Sequence, residues 1–391
     1  MQRKFSASGG KTILYVKLDS FFPSVETSLN PQLKNKPVLV TDGYSKYNKV
    51  ISPNFQAQQI GISQQMQIEN AIKLLPEAVM VQGSLPKYQM FSKEFYKILS
   101  SYSDNIEPVS LDEAYIDMSG FDGRWISPEH LANDIHNKIY QELEITSTIG
   151  IATNKICAYA ATKSSSPNSI FYVAWGQEKF FLKNKPLAYL PTIGPRTEKF
   201  LKQVGIMNIG DFAKQPLNLI VKSFGENGKF LWQLANGIDN RKLNSPTHQK
   251  SISKSISFSF GTNDLDYLNN EIFNLIDQVW NKLNSSNKQS NTVGIKITNQ
   301  NGNIKTKQKK LYSPFTSKKD LFQITQKQLI ALLNHNTSVV NLGITLYNLT
   351  AVNNRNNVFE TSFFKLKEIQ NSLVKISNQF NLKSDQVLAT T

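Results

Sequence analysis

The sequence holds a single cysteine, Cys157, among 391 residues. One thiol excludes an internal disulfide and every zinc or iron-sulfur site built on several thiolates, and it fits a reducing compartment such as the cytoplasm. Histidine is nearly as scarce. His130, His136, His248 and His335 show neither HExxH nor another ligand spacing, so structural or surface roles are expected for them. Arginine occurs five times, as Arg3, Arg124, Arg196, Arg241 and Arg355. No apolar run approaches the roughly 20 residues a membrane helix needs, and the N-terminus lacks a signal-peptide core, so no membrane partner is expected.

Lysine, by contrast, is abundant. Lys and Arg total 44 against 29 Asp and Glu, a formal net charge of +15. That surplus favours a polyanionic partner, nucleic acid ahead of an acidic membrane surface, although the nucleotide bias of a genome also yields Asn- and Lys-rich chains. Lysine acts as a point charge and not a bidentate fork, which suits phosphates better than base edges. With 40% apolar and 10% aromatic residues, the chain can bury sizeable cores, and its length predicts two to four domains.

The apolar run 12–18 reads as a buried strand, followed by a helix over 19–29. Helices are predicted over 63–75 and 88–102. In 107–118 the alternation puts Ala114, Ile116 and Met118 on one strand face. Leu131, Ile135, Ile139 and Leu143 recur every four residues and predict a core-facing helix over 128–143. Strand 147–152, helix 154–163 and strand 169–174 complete a compact ferredoxin-like α/β layer. Residues 176–243 carry short helices punctuated by Pro and Gly, and 244–250 read as a linker. Strands over 251–260, 291–298, 305–312 and 341–349, with helices over 264–284 and 319–334, predict a second α/β domain. The tail, 353–391, is Asn-rich, with a helix expected over 366–380. The fold class expected is thus α/β (α+β) and multidomain.

Nucleotidyl transfer needs carboxylates that hold two divalent ions about 4 Å apart. Asp112-Glu113, an acidic pair inside an otherwise apolar strand where an unpaired charge is costly, is the candidate. The stretch Tyr15-Val16-Lys17-Leu18-Asp19-Ser20-Phe21-Phe22-Pro23-Ser24-Val25-Glu26 resembles the opening motif of the Y-family (translesion) DNA polymerases. Ser110-Leu111-Asp112-Glu113-Ala114-Tyr115-Ile116-Asp117 resembles their second motif, and Gly150-Ile151-Ala152-Thr153-Asn154-Lys155 with Pro167-Asn168 a third. The resemblance spans roughly residues 12–352 and is nearest to the DNA polymerase IV branch.

It implies a palm (1–20 and 82–175), small fingers (21–81), a helical thumb with a helix-hairpin-helix (176–243) and an α/β little finger (251–352). It also implies magnesium at Asp112 and Glu113, with Phe21, Phe22, Phe55, Gln58 and Lys155 around the nucleotide; Phe22 stands at the position that excludes the ribose 2′-hydroxyl. The sequence departs from the pattern at four places. Lys17 stands where the family carries an aspartate that binds both metals, Phe55 and Gln58 stand where it offers a tyrosine and an arginine to the triphosphate, and Ser166 replaces a lysine. Asp19 matches a second aspartate of the motif that is not the principal ligand. Two unit charges about 4 Å apart interact by roughly 4 kcal/mol at an effective dielectric near 20, so an ammonium there strongly opposes a metal ion. The departures predict that Lys17 pairs with Asp112 or Glu113 and that catalysis is impaired; an active, error-prone polymerase is the alternative. Lys163 lies close enough in sequence to stand in for the lost lysine.

Leu190 to Phe200, followed by Val204-Gly205-Ile206, resembles a helix-hairpin-helix whose Gly194, Arg196 and Thr197 meet a phosphate, and Phe224 through Asp239, with Gly225 and Gly228 as further expected DNA contacts, resembles the end of the family's thumb. Lys250, Lys254, Lys305, Lys307 and Lys309, with Lys310, predict a phosphate-tracking stripe, since alternate strand residues share a face; a solvated charged face is the other reading. Gln370-Asn371-Ser372-Leu373-Val374 faintly resembles a sliding-clamp-binding peptide. The partners expected are primer-template or damaged DNA and a clamp, with the protein a monomer.

Overall fold

The computed structural model describes residues 11–45, 48–120, 125–243, 251–333 and 338–352. The linker, Lys250, His248, His335 and the tail with its clamp-like peptide lie outside the described residues. The chain divides into two compact units, residues 1–246 and 247–391.

In the first unit β1 (Ile13–Leu18) leads into α1 (Phe21–Leu29), β2 (Val38–Thr41), β3 (Val50–Pro53), α2 (Phe55–Gln59), α3 (Ile68–Leu74), β4 (Val79–Gln82) and α4 (Leu85–Ser100). Next come β5 (Ile106–Pro108), β6 (Glu113–Asp117), α5 (Pro128–Leu143), β7 (Ser147–Ala152), α6 (Lys155–Ser164) and β8 (Ile170–Tyr172). The main sheet has the order β5-β6-β1-β7-β8, with only β7 and β8 parallel. Period-two alternation sorts its side chains. Leu14, Val16, Ala114, Ile116 and Ile149 are buried against Phe95 and Leu99 of α4 and Leu131, Ile135 and Ile139 of α5. Ile13, Tyr15 and Ala152 face the other way, onto α6. Caps set the helix starts: the Ser127 and Asn154 side chains accept from the backbone N–H groups of His130 and Cys157.

A second sheet, β3-β2-β4, packs with α2 and α3 around Leu39, Val50, Ala57, Ala71 and Leu75. Its strands have four residues each, too short for a period to declare itself in the sequence. The helix predicted from residue 63 begins only at Ile68, because Gln65 turns back with φ 69 and Gln67 bridges to Lys49. Phe21 and Val25 of α1 join the main-sheet core. The segment from residue 176 is all-helical as expected: α7 (Glu178–Leu182), α8 (Pro195–Gln203), α9 (Ile209–Ala213) and α10 (Leu217–Ala235) bury Leu182, Leu201, Phe212 and Leu234 in continuity with α6.

The second unit runs β9 (Ser251–Thr262), α11 (Leu265–Ser285), β10 (Lys288–Gln289), β11 (Thr292–Asn299), β12 (Ile304–Lys310), α12 (Lys318–Leu332), β13 (Val339–Tyr347) and β14 (Thr350–Ala351). Its four-stranded sheet, β12-β11-β13-β9, is antiparallel throughout. Val293, Ile295, Ile297, Leu342, Ile344 and Leu346 face the helices and are buried against Leu268, Ile272, Leu321 and Leu329.

Candidate active site

Strand register brings the first four groups together. Lys17 of β1 sits directly opposite Glu113 of β6, and Tyr15 opposite Tyr115, so all four side chains share the sheet face that carries α6. Of the two acids expected for Lys17, Glu113 is the one it meets: the Lys17 Nζ lies 3.7 Å from Glu113 Oε1. Lys163, in the last turn of α6, brings its Nζ to 3.5 Å from the same oxygen. The other oxygen, Oε2, accepts a 2.6 Å hydrogen bond from the Tyr15 hydroxyl. Burial, and then the charge of Glu113, push the Tyr15 phenol far above its ordinary range, so it remains a neutral donor.

Asp112 lies one residue before β6 and accepts from the Ser110 hydroxyl at 2.7 Å. Burial raises its pKa; the Ser110 hydrogen bond and Lys17 oppose the shift, while Glu113 adds to it. The Tyr96 hydroxyl fixes this turn by donating to the carbonyls of Ser110 and Glu113 at 2.5 and 3.0 Å. Asp19 is also fully engaged. Its Oδ1 accepts from the Thr148 hydroxyl at 2.6 Å and its Oδ2 from the Asn168 N–H at 2.8 Å, so this acid ties β1 to β7 and to the loop before β8.

A cavity of about 720 Å³ opens beside these acids, lined among others by Lys17, Asp112, Phe21, Phe22, Phe55 and Gln58. Phe22 stacks on Tyr88 with ring centroids 4.1 Å apart and planes inclined by 13°. Tyr88 is held in turn by Glu26, which also pairs with Lys87. Phe55 is 46% exposed and has no hydroxyl to offer, while the Gln58 amide donates from α2 back to Pro53 O at the end of β3, 2.8 Å away. Pro167 lines the cavity, but Ser166 does not.

Lys155 requires a correction. The resemblance put it at the nucleotide, yet it is 4% exposed and its ammonium donates to both oxygens of Glu107 at 2.7 Å, above the Tyr115 ring. A lysine held this way is an internal strut, and it is absent from the cavity lining.

The predicted hairpin residues Gly194, Arg196 and Thr197 fall at the start of α8. Gly194 precedes α8, whose first turn presents the N–H groups of Arg196 and Thr197, donors that a helix leaves without intrahelical partners. Thr192, at φ 65, makes the turn before it, and Asn227 bonds the Thr192 hydroxyl across to α10. Gly225 has φ 62 and ψ −151 inside α10, a conformation open essentially to glycine alone, which restarts the helix. Gly228 has a different role. It is buried, and a Cβ there meets Ile220 O at 2.7 Å, so its smallness serves packing.

The lysine stripe is corrected by register. Lys305, Lys307 and Lys309 pair with Ile297, Ile295 and Val293, and Lys254 pairs with Ile344, so all four lie on the helix-covered side at the two sheet edges. Lys305 donates to Leu332 O at the end of α12. The open sheet face instead carries Ser253, Ser255, Ser257, Thr306, Gln308, Lys296 and Lys310, all exposed. The alternation in the sequence was legible, but which set faced the helices depended on pairing.

The family model of the impB/mucB/samB family matches residues 16–163, and that of its C-terminal domain matches 249–358. DNA polymerase IV of Dehalococcoides mccartyi (strain CBDB1) is 31% identical over 377 residues, 96% of each chain. DNA polymerase IV of Staphylococcus aureus (strain JH9) is 27% identical over 346 residues, 88% of this chain and 97% of that protein. Among solved structures, a Y-family DNA polymerase chimera of Dbh and Dpo4 superposes with a TM-score of 0.79 at 26% identity, covering 87% of this chain and 99% of that one. An insertion ternary complex of Dbh DNA polymerase gives 0.63 with the same identity and coverage.

Polymerases of this family generally use divalent metal ions. The donor set here does not fit one: Lys17 stands in place of the third acid, Glu113 is engaged on both oxygens, and the described residues contain no group of three or more His, Cys, Asp or Glu side chains placed to hold a metal. Among the described residues no helix is long and apolar enough to cross a membrane. The chain belongs to the impB/mucB/samB family, the Y-family DNA polymerases of the DNA polymerase IV type.

Proposed function

We propose that this protein binds primer-template or damaged DNA in translesion synthesis with nucleotidyl transfer impaired. The observation that carries this reading is the Lys17 ammonium 3.7 Å from Glu113, on the strand position that would otherwise supply the third acid. Asp112 and Glu113 are the groups that would hold magnesium, and Lys17 removes the charge that magnesium needs. Phe55 and Gln58 deprive a triphosphate of a hydroxyl and a guanidinium at the same cavity. DNA phosphates are left to the hairpin donors at Gly194, Arg196, Thr197 and Gly225 and to the basic faces of the second unit. The protein acts as a monomer, and the tail is the segment that would reach a sliding clamp.

The second reading, an active error-prone polymerase, is favoured by one observation. A cavity of nucleotide size persists, with Phe22 still stacked beneath it on Tyr88.

Primer extension with magnesium or manganese, run beside DNA binding, separates the two. Extension slower than that of a DNA polymerase IV control by on the order of 10³-fold, with binding retained, supports impairment; extension at the control's rate overturns it.

Salt dependence tests the interface. Each phosphate contact contributes about 0.9 to the log-log salt slope on duplex DNA, so Lys296→Ala and Lys310→Ala are each expected to flatten the slope by about one unit. Lys305→Ala, whose ammonium is bonded to Leu332 O, is expected to leave it nearly unchanged. The reverse pattern would return the interface to the edge lysines.

A further inference from the structure

Among the described residues two cations reach Glu113, and they come from different elements. Lys17 arrives along β1 and Lys163 from the last turn of α6, and both end on the same oxygen, at 3.7 and 3.5 Å. Each lysine side chain is 31% exposed and Glu113 is 16% exposed, so the group is partly shielded from water but open to the cavity side, where Lys17 and Asp112 form part of the wall. Two ammonium groups match the charge of the two carboxyls, Asp112 and Glu113. A polymerase that presents bare acids to a DNA end depends on divalent ions to remove the repulsion between acids and phosphates.

We propose that Lys17 and Lys163 together form a built-in dication that replaces the divalent ions of this site, so that the protein engages the end of a primer-template without metal and admits none while either lysine remains. The proposal rests on the reading of impaired catalysis but adds to it. Lys163, offered by the sequence only as a stand-in for a lost lysine, becomes the site's second positioning cation, and restoring the acid at position 17 alone leaves an ammonium on Glu113.

Manganese binding, followed by electron paramagnetic resonance, tests this without reference to activity. The wild type, Lys17→Asp and Lys163→Ala are expected to bind no manganese tightly at the acids. The double variant Lys17→Asp/Lys163→Ala is expected to bind at least about tenfold more tightly than either single variant. Lys17→Asn/Lys163→Ala, which adds an oxygen donor without a third negative charge, serves if the triple-acid variant fails to fold. Fluorescence anisotropy on a recessed-end duplex supplies the second arm. Wild-type affinity should agree within about twofold between EDTA and magnesium at matched ionic strength, whereas the double variant should weaken about tenfold in EDTA and recover with magnesium. Full manganese binding by Lys17→Asp alone, or loss of wild-type DNA binding in EDTA, overturns the dication while leaving the reading of impaired catalysis in place. Robust primer extension by the wild type would instead sink that reading.

Discussion

Gly150→Ala is expected to destabilise the first unit by about 3 kcal/mol or more, because overpacking against backbone cannot be relieved by a rotamer change. A Cβ on Gly150 meets Ala158 O at 2.2 Å, Thr162 Oγ1 at 2.6 Å and the Thr162 N at 2.7 Å. Gly150 sits opposite Tyr15 in the β1–β7 register, and the absence of its side chain lets α6 lie close enough for the Thr162 hydroxyl to donate to Tyr15 O at 3.0 Å. That approach also brings Lys163, one residue further along α6, to Glu113. The substitution therefore carries two effects, a lower urea midpoint and a displaced Lys163. Gly194→Ala is the control. Its φ is −88, nothing lies within 4 Å of the added carbon, and its stability should change by no more than about 0.5 kcal/mol. Equal midpoints for Gly150→Ala and wild type would remove the close-approach argument.

The buried pair beneath the sheet should give a comparably large effect. Lys155 and Glu107 have side chains 5% and 18% exposed, so Glu107→Leu leaves an ammonium inside protein, above Tyr115 and without its carboxylate. The expected cost is about 3 to 5 kcal/mol. Adding Lys155→Met removes the stranded charge, so the double variant should recover most of the loss. Urea unfolding of the four proteins in a double-mutant cycle measures the coupling. Additive losses would mean that the two groups do not act as a pair. Nucleotide affinity is not expected to follow the cycle, since Lys155 lies away from the cavity lining.

Much of the fold is legible in the sequence. The four-residue recurrence of Leu131, Ile135, Ile139 and Leu143 gave α5, which runs Pro128–Leu143, and the alternation of Ala114, Ile116 and Met118 gave three buried residues on and beside β6. The strands of the β3-β2-β4 sheet are not legible in the sequence, because they are only four residues long and β2 is buried on both faces, which leaves no alternation to read. Lys155 went astray for a different reason. A motif records which residue stands at a position and not what lies across from it, and Glu107 lies 48 residues away. The lysines of β12 divide between the two sheet faces, Lys310 on the open one and Lys305, Lys307 and Lys309 on the other, and a strand's period is silent about which side the helices cover.

The active-site corner divides in the same way. Sequence alone determined that an ammonium, Lys17, stands among acids, that two phosphate donors have become Phe55 and Gln58, and that the surplus charge is positive; these are properties of residue identity and travel with the chain whatever its shape. Tertiary structure decided that Lys17 faces Glu113 and not Asp112, that Asp19 is fully occupied by Thr148 and Asn168, and that Lys163 comes to the same carboxylate oxygen. The physical reason is distance. Charge interactions act over a few ångströms, and only strand register and the approach of α6 over Gly150 bring groups scattered across about 150 residues of sequence within that range.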